Sequence, residues 1–299
     1  MRVNVYSDKF SGTLSAAEVL KVIKSVFKNF DIQANYFPVT DGGEHSTEIF
    51  KHYNMQTESV SMKKDFVGSW IPAEFLNING DVYFESASLI GINKTSEHPF
   101  NLNTAALSQV IPEIDVLGLG GSKTVDGGIG LLSCLGIDFY AGEEIITNPK
   151  PKDFKDITAV KVNDSFSNLE LKVLTDTSTR LLGSNSAVAM YGPQKGLNKK
   201  EIKHLEEQLE RVFQIVSTEL NIPLDPFKKE TGAAGGLSFV LGEILGCELI
   251  SGSQYFLEQT NLKNKIKQTE ITVVCEGKFD MTSLSWKVIG EILKHVTGD

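Results

Sequence analysis

Acidic side chains recur where the predicted strands of this sequence end. The positions concerned are Asp8, Asp41, Asp126, Asp176, Glu276 and Asp280. Phosphoryl transfer uses carboxylates of this kind, because they hold magnesium and because one of them can accept the proton of an attacking hydroxyl group. A single acidic residue at a strand end is more often a helix cap or a turn former. The recurrence beside glycine-rich loops favours phosphoryl transfer, but it does not assign a role to any one of these residues.

The glycine-rich loop within residues 116–130 is the segment around which the rest of the chain is organised. The apolar residues Val116–Leu119 predict the end of a buried strand, and a helical pattern begins at Ile129. A strand, a glycine-rich turn and a helix start aim backbone N–H groups at an anion. The loop has neither the Walker spacing nor the dinucleotide fingerprint. Taken alone, it is equally compatible with a phosphate loop and with a tight structural turn.

Two earlier strands lead into acidic loops. Residues Val3–Ser7 alternate as a strand that ends at Asp8, and Ala34–Val39 form a second predicted strand that runs into Asp41. A capping box at Ser15–Glu18 predicts the start of a helix between them. Because ligands of open α/β sheets bind outside the carboxyl ends of the strands, we expect Asp8 and Asp41 on one rim.

The later segments predict further elements. Residues 56–85 resemble antiparallel strands with a hairpin turn at Asn79-Gly80, and we place a domain boundary near it. A long helix runs from Asn198 to about Leu220, and its apolar stripe predicts core packing. Residues 232–236 open another apolar helix, where small residues either permit close packing or leave room for a ligand. Residues 271–275 predict a buried strand.

Lys195 lies in a predicted turn, Gly192–Gly196. This single lysine is a candidate for stabilising the charge of a transferred phosphate, and a solvated turn lysine is the equal alternative. The histidines show no metal-binding spacing, and no Gly-x-Ser-x-Gly elbow supports nucleophilic hydrolysis.

Composition narrows the class of protein. The chain has 299 residues and a formal net charge of −9, which argues against a nucleic-acid partner. Its three cysteines are scattered through apolar stretches, so we expect reduced thiols and a cytoplasmic location. No apolar run is long enough for a membrane span, and no signal peptide is expected.

Several segments, in the same order, resemble motifs of the bacterial-type glycerate kinase family. They are Asp8-Lys-Phe-Ser-Gly-Thr-Leu-Ser15, Thr40-Asp-Gly-Gly-Glu-His45, Gly120-Gly-Ser-Lys-Thr-Val-Asp-Gly-Gly128, Tyr191-Gly-Pro-Gln-Lys-Gly196, Gly232-Ala-Ala-Gly-Gly236 and Cys275-Glu-Gly-Lys-Phe-Asp280. The resemblance implies ATP-dependent phosphorylation of glycerate to a phosphoglycerate, with magnesium, in a cleft between domains. It leaves open whether the protein forms a homo-oligomer.

The resemblance also implies an α/β fold with two α/β domains. A flavodoxin- or Rossmann-like domain would be built from both chain ends, residues 1–80 and 281–299. An inserted mixed α/β domain, residues 81–280, would carry the glycine-rich loops. Family members continue past the point that matches Asp299, so we expect the C-terminal part of the first domain to be shortened and its sheet incomplete.

The resemblance supplies the substrate, and residue chemistry suggests the roles. The expected catalytic residues are Asp8, Asp41, Asp126 and Lys195. The expected substrate- or phosphate-binding residues are Lys9, Ser11, Gly42, Gly43, Gly120, Gly121, Ser122, Lys123, Thr124, Gly127 and Lys278. The expected magnesium ligands are Asp176, Glu276 and Asp280.

Some positions depart from the family motifs. Ser11 stands where the family has a lysine, Thr179 and Arg180 replace an asparagine and a proline, and Lys123 and Val125 alter the central loop. Because every acidic position is retained, the kinase hypothesis ranks first, but these changes and the shorter C-terminal part favour an alternative hypothesis. In it, the protein is a catalytically impaired paralogue that acts as a ligand-binding or regulatory protein.

Overall fold

The computed structural model describes residues 2–10, 12–279, 283 and 287–296. The predicted site residues Ser11 and Asp280 lie outside the described residues. The strands are β1 (Val3–Ser7), β2 (Ala34–Pro38), β3 (Gln56–Lys64), β4 (Trp70–Ile78), β5 (Asp81–Glu85), β6 (Val116–Gly118), β7 (Ile137–Ala141), β8 (Glu144–Ile145), β9 (Ala159–Val162), β10 (Lys172–Leu174), β11 (Glu248–Ile250) and β12 (Ile271–Cys275).

Helices alternate with many of these strands along the chain. They are α1 (Ala16–Asn29), α2 (Ser46–His52), α3 (Ala87–Ile90), α4 (Ile129–Cys134), α5 (Ala187–Lys195), α6 (Lys199–Leu220), α7 (Ala233–Phe239), α8 (Gly252–Gln259), α9 (Leu262–Lys267) and α10 (Val288–His295). Among the described residues, every helix falls short of the combined length and apolar character that a membrane span requires.

The first sheet joins the two ends of the chain. Its order is β12-β1-β2, and both pairings are parallel, with Val3 aligned to Ile271 on one side and to Ala34 on the other. Because parallel neighbours end at the same edge, the loops that follow these strands share one rim.

The second sheet is mixed and has the order β11-β10-β6-β5-β4-β3. The strands β11, β10, β6 and β5 are parallel, and the hairpins to β4 and β3 are antiparallel. A small antiparallel sheet, β8-β7-β9, lies beside it. The predicted α/β class is confirmed.

The strand pairing cuts across the expected domain boundaries. Strand β4 pairs with β5, so a boundary at residue 80 divides one hairpin. Strand β12 pairs with β1, so residues 271–275 belong to the sheet of the chain ends and not to the inserted segment 81–280. The pairing of β12 with β1 joins strands that are far apart in the chain, and such pairing leaves no local mark in the sequence. The division into two domains stays a prediction.

Two hydrophobic cores lie on opposite faces of the second sheet. Alternate residues of a strand point to opposite faces, and accordingly Phe84 and Leu117 enter one core, whereas Tyr83 and Val116 enter the other. The second core also contains Tyr6 of β1. This shared core fixes the first sheet against the second.

The long helix α6 packs against the first of these cores, as predicted. Its N-terminus has the expected capping box, in which the Asn198 side chain accepts from the N–H groups of Lys200 and Glu201 while Glu201 accepts from the Asn198 N–H group. The buried side chains of its stripe are Leu205, Leu209, Val212, Phe213 and Val216.

Candidate active site

A cleft of about 460 Å³ lies where loops from both sheets meet. Four of these loops follow the carboxyl ends of the parallel strands β1, β2, β6 and β10, as the general rule for α/β sheets requires. The predicted site residues that line the cleft are Lys9 after β1, Asp41 after β2, Gly120, Gly121 and Ser122 after β6, Asp176 after β10, and Lys195 at the end of α5. Residues from distant parts of the chain therefore share one cavity.

The loop at residues 41–44 is fixed to the second sheet by two buried side chains of β5. The Glu85 carboxylate accepts hydrogen bonds from the N–H groups of His45 (2.9 Å) and Thr47 (3.0 Å), which belong to the first turn of α2. The Tyr83 hydroxyl donates to the Gly42 carbonyl (3.1 Å) and also bonds the Ser46 hydroxyl. A carboxylate at a helix N-terminus satisfies donors that the helix itself cannot. These contacts hold the start of α2, and with it the loop that carries Asp41.

Gly42 and Gly43 serve packing at this point. Gly42 has a φ of 80°, and a Cβ there would lie 2.9 Å from the Leu174 side chain. A Cβ on Gly43 would lie 3.1 Å from the Leu119 carbonyl oxygen, and its N–H group donates to the Asp41 carboxylate (3.0 Å). The two glycines let the acidic loop approach the strand ends of the second sheet.

Lys9 and Asp41 line the cleft, and Asp8 is buried next to them. The Asp8 carboxylate accepts from the Lys9 N–H group (2.7 Å), and the Lys9 amine donates to the Glu44 carbonyl oxygen (3.0 Å). Burial, and after it the charge of Asp41, raises the pKa of Asp8 to about 7. Burial disfavours the charged amine of Lys9, but the surrounding carboxylates, with Asp41 and Asp8 foremost, raise its pKa.

The loop after β6 presents backbone to the cleft. Gly121 has a φ of 62°, and a Cβ there would lie 2.7 Å from the Glu44 side chain. The Gly121 carbonyl accepts from Ile92, and the Lys123 N–H group donates to Ile90. Among the described residues, the N–H groups of Gly120, Gly121 and Ser122 have no acceptor. They are therefore available to an anion, as the phosphate-loop hypothesis requires.

Lys195 is buried at the end of α5 with its amine at the cleft. The amine donates to the Thr124 carbonyl (2.7 Å) and to the Ser122 hydroxyl (3.1 Å). Burial lowers the pKa of Lys195 to about 7, with the Asp126 carboxylate opposing the shift and Lys123 adding to it. The predicted turn at residues 192–196 is wrong, because residues 192–195 are the last turn of a helix that ends at Gly196 with a φ of 106°. The solvated-lysine alternative is likewise excluded.

Asp126 does not line the cleft, contrary to the expectation. Its carboxylate is fully buried and accepts from the Thr104 N–H group (2.9 Å), the Thr104 hydroxyl (2.8 Å) and the Gly130 N–H group (2.9 Å). Burial raises the pKa of Asp126 although these hydrogen bonds oppose the shift. We infer that Asp126 organises the start of α4. Its neighbour Gly127 packs against Leu209, where a Cβ would lie 2.9 Å from a methyl group.

The expected magnesium ligands do not form one cluster in the described residues. Asp176 lines the cleft, but its carboxylate accepts from the Ser251 hydroxyl (2.8 Å) and from the Ser253 N–H group (2.7 Å) at the start of α8. Burial raises the pKa of Asp176 to about 7, and Asp41 adds to the shift. Glu276 is paired with Lys287 and is not among the cleft residues. No group of three potential ligands occurs in the described part of the chain.

The remaining predicted residues also lie outside the lining. Lys123, Thr124 and Lys278 are not among the side chains that face the cleft, although the Thr124 carbonyl holds Lys195. The Thr124 side chain is buried beneath the loop. Binding roles for these residues stay predictions.

Sequence analysis missed several cleft residues. The lining also includes Thr175, Thr177, Tyr191, Gln194 and the segment Ala233–Gly235. The Thr175 hydroxyl is buried without a hydrogen-bond partner among the described residues. Its position immediately before Asp176, at the end of β10, is the signal that could have identified it.

The segment 232–236 is not an ordinary helix start. Ala234, Gly235 and Gly236 have left-handed backbone angles, with a φ of 51° at Ala234. A Cβ on Gly235 would lie 2.2 Å from the Thr124 carbonyl oxygen. From the sequence, small residues here permit either close packing or room for a ligand. The segment does both, because its backbone packs closely and Ala233–Gly235 also line the cleft.

Residues 3–298 match the model of the glycerate kinase family. The chain belongs to the glycerate kinase family. It is 29% identical over 298 residues to the glycerate kinase of Halalkalibacterium halodurans, covering 94% of this chain and 78% of that protein. It is 27% identical to the glycerate 2-kinase of Escherichia coli, covering 96% of this chain and 80% of that protein.

The fold is shared with a solved structure. The crystal structure of a protein from Salmonella typhimurium LT2, proposed to be glycerate kinase 2, matches with a TM-score of 0.72 at 22% identity. The match covers 98% of this chain and 84% of that one. The resemblance to the glycerate kinase family drawn from the sequence motifs is thereby confirmed.

Two departures from the glycerate kinase motifs lie away from the cleft lining. Val125 is buried in the first of the two cores and does not line the cleft. Thr179 is buried, and its hydroxyl bonds the hydroxyl of Thr177 (2.8 Å). Thr177 faces the cleft, but Val125 and Thr179 do not.

The structural role of Asp126 gives a first prediction. In Asp126→Asn, an amide group faces the N–H donors that the carboxylate now satisfies, so we expect the free energy of unfolding to fall by about 2–4 kcal/mol. Urea denaturation measures this change. The exposed Asp164→Asn is the matched control and should leave stability unchanged. An Asp126→Asn protein of native stability that has lost turnover would return Asp126 to a catalytic role.

The raised pKa of Asp8 gives a second prediction. The folded protein holds the Asp8 proton to a higher pH than the unfolded chain does, so this group's contribution to stability is lost as the pH rises toward about 7. Asp8→Asn keeps the acceptor for Lys9 but removes the buried charge. We expect its melting temperature to exceed that of the native protein by roughly 3 °C at pH 8, with a smaller difference at pH 5.

Thermal unfolding at the two pH values tests this expectation. The exposed Asp156→Asn serves as the matched control, and its melting temperature should track that of the native protein at both values. An Asp8→Asn protein that is less stable than the native protein at pH 8 would contradict the account, because Asp8 would then stabilise the fold as a charged group.

Proposed function

We propose that this protein transfers the γ-phosphoryl group of ATP to a hydroxyl group of glycerate in the cleft, giving a phosphoglycerate and ADP. In this reaction the hydroxyl oxygen forms the new bond to phosphorus, the bond between phosphorus and the bridging oxygen of ADP breaks, and a carboxylate takes the hydroxyl proton. The observation that carries the proposal is that Asp41, Asp176, Lys195 and unpaired backbone N–H groups meet in one cavity of a glycerate kinase family member.

The residues of the cleft fit the groups that such a reaction requires. Magnesium in kinases is held by one or two carboxylates together with phosphate oxygens, and Asp41 and Asp176 line the cleft close enough for the charge of Asp41 to raise the pKa of Asp176. The N–H groups of Gly120–Ser122 and the unpartnered hydroxyl of Thr175 are donors suited to phosphate. Bound magnesium would neutralise charge on the phosphates.

Asp41 is the carboxylate that we assign as the proton acceptor. It lines the cleft, whereas Asp8 is buried behind it and is not among the lining side chains. Asp8 contributes by accepting a hydrogen bond from the Lys9 N–H group, which holds the backbone of Lys9. Lys9 lines the cleft with a raised pKa, so it offers a permanent positive charge to the carboxylate of glycerate.

Lys195 is assigned to the transferred phosphoryl group. Its amine is fixed by Thr124 and Ser122, so its position is set before any ligand arrives. The pKa of about 7 means that the amine binds a proton readily once negative charge develops beside it. Such preorganised charge is the usual source of rate acceleration in phosphoryl transfer.

The alternative of a catalytically impaired paralogue is not favoured. The predicted residues Lys9, Asp41, Asp176 and Lys195 line the cleft, whereas Val125 and Thr179 lie outside its lining. We therefore retain the kinase proposal alone.

A turnover assay tests the proposal. Purified protein with ATP, magnesium and D-glycerate should form a phosphoglycerate, and chelation of magnesium should stop the reaction. Asp41→Asn should lower kcat by about 100-fold or more, because the proton acceptor is removed. Lys195→Met, which keeps the buried length, should lower kcat by a similar factor, about 100-fold.

The control is Asp164→Asn, which removes one exposed carboxylate and should keep native kinetics. Circular dichroism of each variant establishes that it is folded. Two results would refute the proposal: a folded native protein that forms no phosphoglycerate, or an Asp41→Asn variant with native kcat.

A further inference from the structure

A second concave site lies at the outer edge of the first sheet. This basic groove has a volume of about 800 Å³ and is lined by the cations Arg2, Lys21, Lys24 and Lys265 and by the rings of Tyr36 and Phe37. It shares no lining residue with the cleft described above. Its walls come from α1, from the edge strand β2 and from α9. Neither the proposed kinase reaction nor the family motifs use it.

The charge of the basic groove is opposite to that of the whole protein. None of the residues that line it is acidic, although the chain carries a net charge of −9. Glu18 and Glu270 lie near Lys21 and Arg2, outside the lining. Among the described residues, no ion pair joins Lys21, Lys24 or Lys265 to a carboxylate. The basic groove is thus a region of positive electrostatic potential on a protein whose net charge is negative.

Two of these cations are held in place by aromatic rings. The Lys24 amine lies 5.8 Å from the centre of the Tyr36 ring, and the Lys265 amine lies 5.1 Å from the centre of the Phe37 ring. Successive residues of a strand point to opposite faces, so one cation stands on each side of β2. Ring contacts of this kind hold an ammonium group without neutralising it.

The floor of the basic groove is built from fixed amide groups. Asn4 is only 5% exposed, and its side chain donates to the Lys265 carbonyl (3.2 Å) and accepts from the Asn35 side chain (2.9 Å). These bonds join β1, β2 and α9. These hydrogen bonds therefore fix α9, which carries Lys265, relative to the strands β1 and β2.

We propose that the basic groove is a second binding site, which takes a small anion with two or three linked phosphate groups. Lysine presents a compact charge suited to phosphate oxygens, and the volume lies in the range of small-molecule sites. Inorganic polyphosphate and the phosphate chain of a nucleotide share this chemistry. The proposal does not depend on the kinase reaction, because the two sites share no residue.

Calorimetric titration of the whole protein with tripolyphosphate tests the proposal. The native protein should show a site that Lys21→Ala/Lys24→Ala weakens by about tenfold, given the energies of exposed charge pairs. Lys199→Ala/Lys200→Ala, which removes the same charge from the exposed first turn of α6, is the matched control and should not weaken it. Lys265→Ala, which removes the cation on the opposite face of β2, should also weaken tripolyphosphate binding. Turnover of ATP and glycerate should stay native in all three variants.

The comparison of variants decides the outcome. Equal affinity in the native protein and in Lys21→Ala/Lys24→Ala would overturn the proposal, and so would an equal loss in the Lys199→Ala/Lys200→Ala control, since binding would then follow net charge alone. A parallel titration with ADP identifies the source. Tighter binding of ADP than of pyrophosphate at the Lys21- and Lys24-dependent site supports a nucleotide ligand, and equal binding supports an inorganic one.

Discussion

The geometry of the cleft depends on the hydrogen bonds between the Glu85 carboxylate and the start of α2. This carboxylate lies on the second sheet, yet it accepts from two N–H groups at the start of α2, a helix that follows a strand of the first sheet. A buried carboxylate is tolerated only when donors surround it. Glu85 therefore holds α2 in one place, and the loop with Asp41 is held with it. Tyr83 and Ser46 complete the connection between the sheets.

The cleft concentrates buried charge at a cost in stability. Burial raises the pKa values of Asp8 and Asp176 to about 7, and Asp41 adds to both shifts. On the other side, burial lowers the pKa of Lys195 to about 7. Shifts of this kind, in opposite directions within one cavity, are typical of sites that bind charged ligands or move protons. Bound magnesium would offset the charge of the carboxylates, and bound phosphate would offset the charge of Lys195.

The sequence predicted which loops border the cleft better than it predicted which side chains face the cleft. Strand ends followed by acidic or glycine-rich loops located Asp41, Gly120 and Asp176, because parallel strands bring their carboxyl ends together. The same rule could not separate Asp41, which faces the cleft, from Asp126, which caps a buried turn through Thr104. That difference depends on the direction of a side chain in three dimensions.

Backbone geometry and long-range pairing also escaped prediction. The left-handed angles at Ala234 are unusual for a residue with a side chain, and local pattern indicated a regular helix. The glycines and the proline around Lys195 predict a turn, yet Lys195 is the last residue of α5. The pairing of β12 with β1 joins residues that are far apart in the chain, so no local pattern could predict it.

The central claim is that separate segments form one site for a nucleotide, and amide hydrogen exchange tests it without reference to turnover. Exchange is measured with and without ATP and magnesium. The account predicts that ATP slows exchange together in three segments, residues 41–47, 119–124 and 233–236, and leaves the exposed first turn of α6 unchanged. Protection confined to one of these segments, or found only elsewhere in the chain, would contradict it.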